Sequence, residues 1–202
     1  MNRSKNPYAR ADARTLQARA EGYPARSVYK LKEIDQRCKI LRKGQRVLDL
    51  GAAPGSWTLY ASEQVGPQGK VLAIDLSEIT QRFAPNVTVV QGDALKPSPA
   101  LSAALGEVEG FDVVLSDMAP KTSGAKSRDQ ALSFELSMAA LQIAQRFGGK
   151  GSHFVAKIFM SGDFPQAKKA VTALYESCRV IRPEGTRSVS SEVFLVGLKR
   201  RG

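Results

Sequence analysis

The chain has 202 residues, 43% of them hydrophobic, and a net charge of +11. That length favours one domain with one good core; no apolar run is long enough to span a bilayer, and the polar N-terminus lacks the apolar centre of a signal peptide. Two distant cysteines, Cys38 and Cys178, in no metal-ligand spacing, and a single histidine, His153, give poor support to a disulfide scaffold, a His-rich metal site or a Ser-His-Asp machine, so a reduced, cytoplasmic protein is expected. A protein this basic usually meets a polyanion, and nucleic acid is the first candidate.

From Met1 to Arg26 the chain carries Arg3, Lys5, Arg10, Arg14, Arg19 and Arg26 against only Asp12 and Glu21, with Tyr8 and Tyr23 interleaved. This reads as an extended or weakly helical basic arm that phosphates can order. A solvated tail has the same composition, and the sequence leaves the two open. The expected organisation is an arm over residues 1–25 and one domain over residues 26–202. Between Ser27 and Leu41 the pattern turns helical: Val28, Leu31, Ile34, Cys38 and Leu41 fall on one face, and Lys43-Gly44 ends the segment. Lys30, on the first turn, has by itself only the standing of a surface lysine.

Val47-Leu48-Asp49-Leu50-Gly51-Ala52-Ala53-Pro54-Gly55-Ser56-Trp57 reads as a buried strand, a Gly-rich turn and the start of a helix. Ligands of open α/β sheets sit at such strand ends, where glycines admit close backbone approach. A dinucleotide needs G-x-G-x-x-G to cradle its pyrophosphate. Here the middle glycine is missing and Pro54 removes an N–H from the turn. The turn therefore suits a nucleoside ligand without phosphate, and S-adenosyl-L-methionine is such a ligand.

Strands are predicted at Arg46–Leu50, Lys70–Ile74, Val87–Gln91, Phe111–Ser116 and Ser152–Phe159, and helices at Ser56–Val65, Pro99–Leu105, Asp129–Arg146 and Phe164–Ser177. The alternation argues for a mostly parallel sheet covered on both faces. The first four strands end at or just before an acid: Asp49, Asp75, Asp93 and Asp117. Asp75 is placed for ribose hydroxyls and Asp93 for an adenine amino group. After Ser116-Asp117-Met118-Ala119-Pro120, the small, polar and basic stretch from Lys121 to Arg128 reads as a mobile loop able to close over a phosphate-bearing substrate. Lys157 lies inside an apolar strand and so needs an acidic partner. Cys178–Arg182 and Ser191–Lys199 read as two strands joined across Pro183–Ser190. Such a hairpin on a parallel sheet gives the Rossmann-like class I S-adenosylmethionine methyltransferase fold: an α/β, seven-stranded, mostly parallel sheet with a C-terminal antiparallel hairpin.

These segments resemble the FtsJ/RrmJ family of ribosomal RNA 2'-O-ribose methyltransferases, especially its short bacterial members. The resemblance rests on Ala25-Arg26-Ser27-Val28-Tyr29-Lys30-Leu31-Lys32-Glu33-Ile34, the Asp49–Trp57 turn, Ser116–Pro120, Val155–Phe159 and Ser191-Glu192-Val193-Phe194, and so covers nearly the whole chain. It implies a catalytic tetrad of Lys30, Asp117, Lys157 and Glu192, with cofactor contacts at Gly51, Ala53, Gly55, Trp57, Asp75, Asp93 and Asp117, and no metal. Two positions depart from the pattern: Ser56 stands where a third glycine is usual, and Phe194 where a tyrosine is expected. The second loses a hydroxyl able to touch substrate. The resemblance further implies a monomer acting on RNA, with the A-loop uridine of large-subunit ribosomal RNA in the assembled subunit as target. Relatives modify transfer RNA.

The chemistry needs an in-line approach of ribose oxygen, methyl and sulfur, which positioning supplies. Lys157 is the natural partner of the hydroxyl oxygen; acting as a general base requires the neutral amine, whereas nearby Asp117 and Glu192 favour the ammonium. The expected role is orientation and stabilisation of developing alkoxide charge, with Asp117 and Glu192 holding Lys157 and Lys30 contacting the substrate. A nicotinamide-dependent oxidoreductase is disfavoured by the turn, and a non-catalytic RNA-binding assembly factor by the complete tetrad.

Overall fold

The computed structural model describes residues 13–106, 110–121, 123–184 and 191–202. Arg3, Lys5, Tyr8 and Arg10 of the basic stretch, Thr122 of the basic loop and most of the Pro183–Ser190 connection lie outside the described residues. Helices α1 (Ala13–Ala20) and α2 (Val28–Cys38) precede β1 (Arg46–Leu50), α3 (Ser56–Val65), β2 (Lys70–Asp75), β3 (Val87–Gln91), α4 (Pro99–Gly106), β4 (Phe111–Ser116), α5 (Lys126–Phe147), β5 (Gly148–Phe159), α6 (Phe164–Leu174), β6 (Tyr175–Ile181) and β7 (Glu192–Arg200). One seven-stranded sheet runs in the order β3-β2-β1-β4-β5-β7-β6. Strands β1 to β5 pair in parallel, while β7 inserts antiparallel between β5 and β6.

Side chains alternate across a strand, and that parity sorts the core into two layers. Val47, Val113, Leu115, Val155, Phe194 and Val196 face Leu31 and Ile34 of α2 and Trp57, Tyr60 and Ala61 of α3. Leu48, Leu50, Val114, Phe154, Ala156, Ile158, Val193 and Leu195 face Leu101 of α4, Leu141 of α5 and Val171 of α6. The same parity assigns Lys157, two residues after Val155, and Glu192, two before Phe194, to the α2/α3 face.

The basic stretch is anchored from α1 onward. Ala18 and Tyr23 are buried in the α2/α3 core layer, and the Tyr23 hydroxyl donates to Glu63 of α3 at 2.5 Å. Helix α2 ends where Lys39 turns left-handed. There the buried Asp35 carboxylate accepts the N–H groups of Ile40 and Leu41, both at 3.0 Å, and the Tyr60 hydroxyl. These bonds satisfy donors that the chain reversal would otherwise orphan.

Several boundaries differ from expectation. Helix α6 stops at Leu174 rather than Ser177, because Tyr175 is fully buried against Phe154, ring centroids 6.0 Å apart, and pairs with Arg200 as the first residue of β6. Helix α5 begins at Lys126 instead of Asp129, taking in part of the expected loop. Strand β5 begins at Gly148, its Gly-rich opening joined to β4 through an irregular register between Phe111 and Val113.

Candidate active site

The turn between β1 and α3 needs its glycines for two reasons. Gly51 has φ 74°, and a Cβ there would lie 2.8–2.9 Å from Met118 atoms in the loop after β4. Gly55 has φ 107°, and a Cβ there would meet the Phe83 ring at 2.8 Å. Left-handed backbone and close approach together select glycine. The N–H groups of Gly51 and Ala52 donate to the Ile74 carbonyl, and the Asp117 N–H donates to the Leu50 carbonyl at 3.1 Å. The turn is thus locked between the ends of β2 and β4.

The strand-end acids gather here, with unequal surroundings. Asp75 accepts the Ala53 N–H at 2.9 Å and the Ser77 N–H at 2.7 Å, so the Asp75 carboxylate braces the turn itself. Asp93 accepts the Leu95 N–H at 2.9 Å. Asp49 is fully buried beneath the turn and accepts the Thr58 hydroxyl at 2.6 Å through one oxygen; its other oxygen has no hydrogen-bond partner. Burial pushes its carboxyl up to about 7; the Thr58 bond opposes this, and repulsion from Asp117 and Asp75 adds to it. The Asp49 carboxyl is thus repelled by two others beside the glycine turn, an arrangement complementary to a cation. Asp49 is the residue that sequence reasoning noticed as a strand-end acid but left without a role; its place in a run of buried aliphatics was the available signal.

The four residues that the resemblance implies as a tetrad form two ion pairs at the C-terminal edge of the sheet. Lys157, 8% exposed, donates from Nζ to the Asp117 carboxylate at 2.8 Å and to the Asp117 carbonyl at 2.6 Å. Lys30 Nζ lies 2.6 Å from Glu192 Oε1. Glu192 was expected to hold Lys157; among the described residues its ion pair is with Lys30. Strand register supplies the reason. Lys157 sits directly opposite Phe194, while Glu192 sits opposite Phe159. Glu192 is therefore diagonal to Lys157 and nearer the strand end, beside the first turn of α2.

Phe194 and Trp57 are both buried beside the tetrad residue Lys30 or its helix. The Phe194 ring is fully buried, its centroid 5.7 Å from that of Trp57, with Lys30 Nζ 5.9 Å above it. Position 194 thus supports Lys30 from below rather than facing outward. The Trp57 side chain is 2% exposed and donates from Nε1 to the Ser27 carbonyl at 2.9 Å, so its ring is committed to α2 and β7.

The basic loop after β4 is tied to α5. Asp129 accepts the Ser123 N–H at 2.9 Å and the Ser123 hydroxyl at 2.8 Å, and these bonds hold the Asp129 carboxyl below its usual range. At the end of β5 the Ser133 hydroxyl accepts the Phe159 N–H at 2.9 Å. His153 lies away from this edge, and burial lowers its affinity for a proton. Burial raises both half-buried thiols, Cys38 and Cys178. No described helix is long and apolar enough to cross a membrane.

Comparison with known proteins agrees with this geometry. The model of the FtsJ-like methyltransferase family matches residues 23–200. A ribosomal RNA large subunit methyltransferase E of Sorangium cellulosum is 59% identical over 197 residues, covering 98% of this chain and 92% of that protein. A protein of the same name from Nitratidesulfovibrio vulgaris is 50% identical over 187 residues, 93% of each chain. Among solved structures, a ribosomal RNA methyltransferase from Plasmodium falciparum superposes with a TM-score of 0.78 at 25% identity, covering 89% of this chain and all of that one. Human methyltransferase-like protein 13 in complex with SAH shares the fold, with a TM-score of 0.60 at 15% identity over 85% of this chain and 82% of that one. The chain is therefore a methyltransferase and belongs to the FtsJ-like family.

Proposed function

We propose that this protein transfers a methyl group from S-adenosylmethionine to a ribose 2'-hydroxyl of RNA, with the A-loop uridine of large-subunit ribosomal RNA in the assembled subunit as target. The reading that it methylates ribosomal RNA is supported by the names of its relatives. The observation that carries the chemistry is the buried Lys157 side chain, its Nζ held by two oxygens of Asp117, together with a second lysine–carboxylate pair.

The residues present fit the cofactor. Gly51 and Gly55 admit close approach at the turn. Asp49, Asp75 and Asp117 supply negative charge for a sulfonium and an ammonium. Asp75, which lies against Ala53 in the turn, accepts ribose hydroxyls in this reading, and Asp93 at the neighbouring strand end takes the adenine edge. Position 57 contributes to this site through its backbone, since its ring is buried elsewhere. When bound, S-adenosylmethionine supplies an electrophilic methyl group.

The chain's own contribution is positioning and electrostatics. Asp117 fixes Lys157 through two hydrogen bonds, leaving the third N–H of the ammonium for a substrate oxygen. Lys157 thereby orients the 2'-hydroxyl and stabilises negative charge as it develops there. Glu192 fixes Lys30, which contacts the ribose or its phosphate. The expected arm, residues 1–25, contributes basic residues to the RNA surface, and the protein acts as a monomer in the cytoplasm. The test is methylation of purified large ribosomal subunits with isotopically labelled cofactor, followed by mapping of the modified ribose. Label on a base, or no label on any RNA, would overturn the proposal.

A further inference from the structure

We propose that Ser56 and Trp57 are positioning residues that fix Lys30, coupling the start of α3 to the substrate lysine. The inference rests on the reading of Lys30 as a substrate contact. It begins from a deficit: Ser27, at the N-cap of α2, makes no side-chain capping bond. Local sequence therefore leaves the start of α2 under-determined, although Lys30 is on its first turn.

The missing restraint comes from α3. Ser56 Oγ accepts the Ala25 N–H at 2.8 Å and donates to the Ala25 carbonyl at 3.0 Å. One hydroxyl thus uses both its capacities on a single backbone residue two positions before the cap. A glycine at this position would have no group to do so. Trp57 Nε1 donates to the Ser27 carbonyl at 2.9 Å, and that carbonyl also accepts the backbone N–H of Lys30 at 3.0 Å. The tryptophan therefore holds Lys30 from two ends. Its N–H reaches the Lys30 backbone through Ser27, and its ring supports Phe194, over which the Lys30 ammonium lies at 5.9 Å.

Both side chains are nearly inaccessible, Ser56 at 1% and Trp57 at 2%. Neither is spent on solvent or on its own helix. Ser56 and Trp57 follow Gly55 directly, so one rigid helix start carries the glycine turn on one side and the anchor of Lys30 on the other. Small displacements at a reacting centre are costly, and this arrangement removes the freedom of α2 to shift relative to the turn.

The test combines kinetics with amide hydrogen exchange on the full-length protein. Ser56→Ala removes both Ala25 bonds, and Trp57→Phe removes the Ser27 bond while keeping an aromatic ring. Each is expected to lower kcat/KM for large ribosomal subunits about tenfold, with affinity for S-adenosylmethionine alone unchanged. In a Lys30→Ala background neither should cause any further loss, because residues that act through Lys30 have nothing left to position. Losses that multiply in that background would overturn the proposal, as would wild-type kinetics in both variants. Independently of activity, exchange at residues 27–31 should quicken in both variants, while the Asp35-capped end of α2 stays protected. Uniform loss of protection along α2, or none at all, would show a merely structural role. If the wild-type protein methylates no RNA, the functional reading fails, and the exchange pattern still decides the positioning claim.

Discussion

At the residue scale, Lys157 shows how a costly group becomes a useful one. An ammonium in an apolar strand must find acceptors, and Lys157 finds two on Asp117. Lys157→Ala should abolish methyl transfer while cofactor and RNA still bind, as expected for a group acting mainly in the transition state. It should also cost about 3 kcal/mol of stability by leaving Asp117 uncompensated, so thermal melts must accompany the assay. Lys157→Arg keeps the charge but replaces a compact ammonium with a planar fork, and it too should be badly impaired. Wild-type turnover in a folded alanine variant would refute the mechanism. Asp49 gives a second prediction, in pH. Unfolded, its carboxyl titrates near 3.8; folded, near 7. Between those values the folded state holds the extra proton, so Asp49 lowers stability as pH rises from 3.8 to about 7, and its contribution is constant above that. At about 1.4 kcal/mol per pH unit, the loss is bounded by about 4 kcal/mol. Urea melts of Asp49→Asn against wild type should therefore favour the variant more at pH 8 than at pH 5; a difference independent of pH would show that Asp49 does not titrate as argued. Calorimetry should find S-adenosylmethionine binding tightening over the same range, since a nearby cation favours the ionised carboxyl.

At the scale of elements, the N-terminal stretch divides at α1. Ala18 and Tyr23 belong to the core, and the Tyr23 hydroxyl reaches Glu63. Deleting residues 1–12 should leave the melting transition in place. Deleting residues 1–23 removes a buried aromatic side chain, a loss of about 3 kcal/mol on the scale of Phe→Ala substitutions, and should lower the urea midpoint clearly. Equal midpoints for the two truncations would mean that α1 contributes nothing to stability. Composition alone made this stretch look like an arm throughout, because Arg14 and Arg19 flank Ala18 without an apolar periodicity long enough to announce a helix.

For the whole molecule, the net charge of +11 sets the terms on which it meets RNA. Arg3, Lys5 and Arg10 precede residue 13. If each neutralises one phosphate, deleting residues 1–12 should flatten the salt dependence of RNA binding by about 2 in the log–log slope, at roughly 0.7 per phosphate for single strands. Filter binding of ribosomal RNA across salt concentrations measures this directly. Identical slopes would show that the segment stays out of the interface.

What could be read along the chain was whatever is local. The strand–turn–helix from Val47 to Trp57 is marked by apolar runs broken by glycines, and the alternation of strands and helices implies the parallel sheet. Lys157 announced its need for an acid by standing in an apolar strand. Contacts between distant segments were decided by the tertiary structure. Nothing within Tyr175–Ser177 distinguishes a last helical turn from a first strand residue until Tyr175 packs on Phe154. Which lysine Glu192 pairs with depends on the β5–β7 register, and Trp57 and Phe194 acquired their roles only when α2, α3 and β7 were brought together. Propensity and periodicity act over a few residues, whereas these pairings depend on how separate elements fill one shared core.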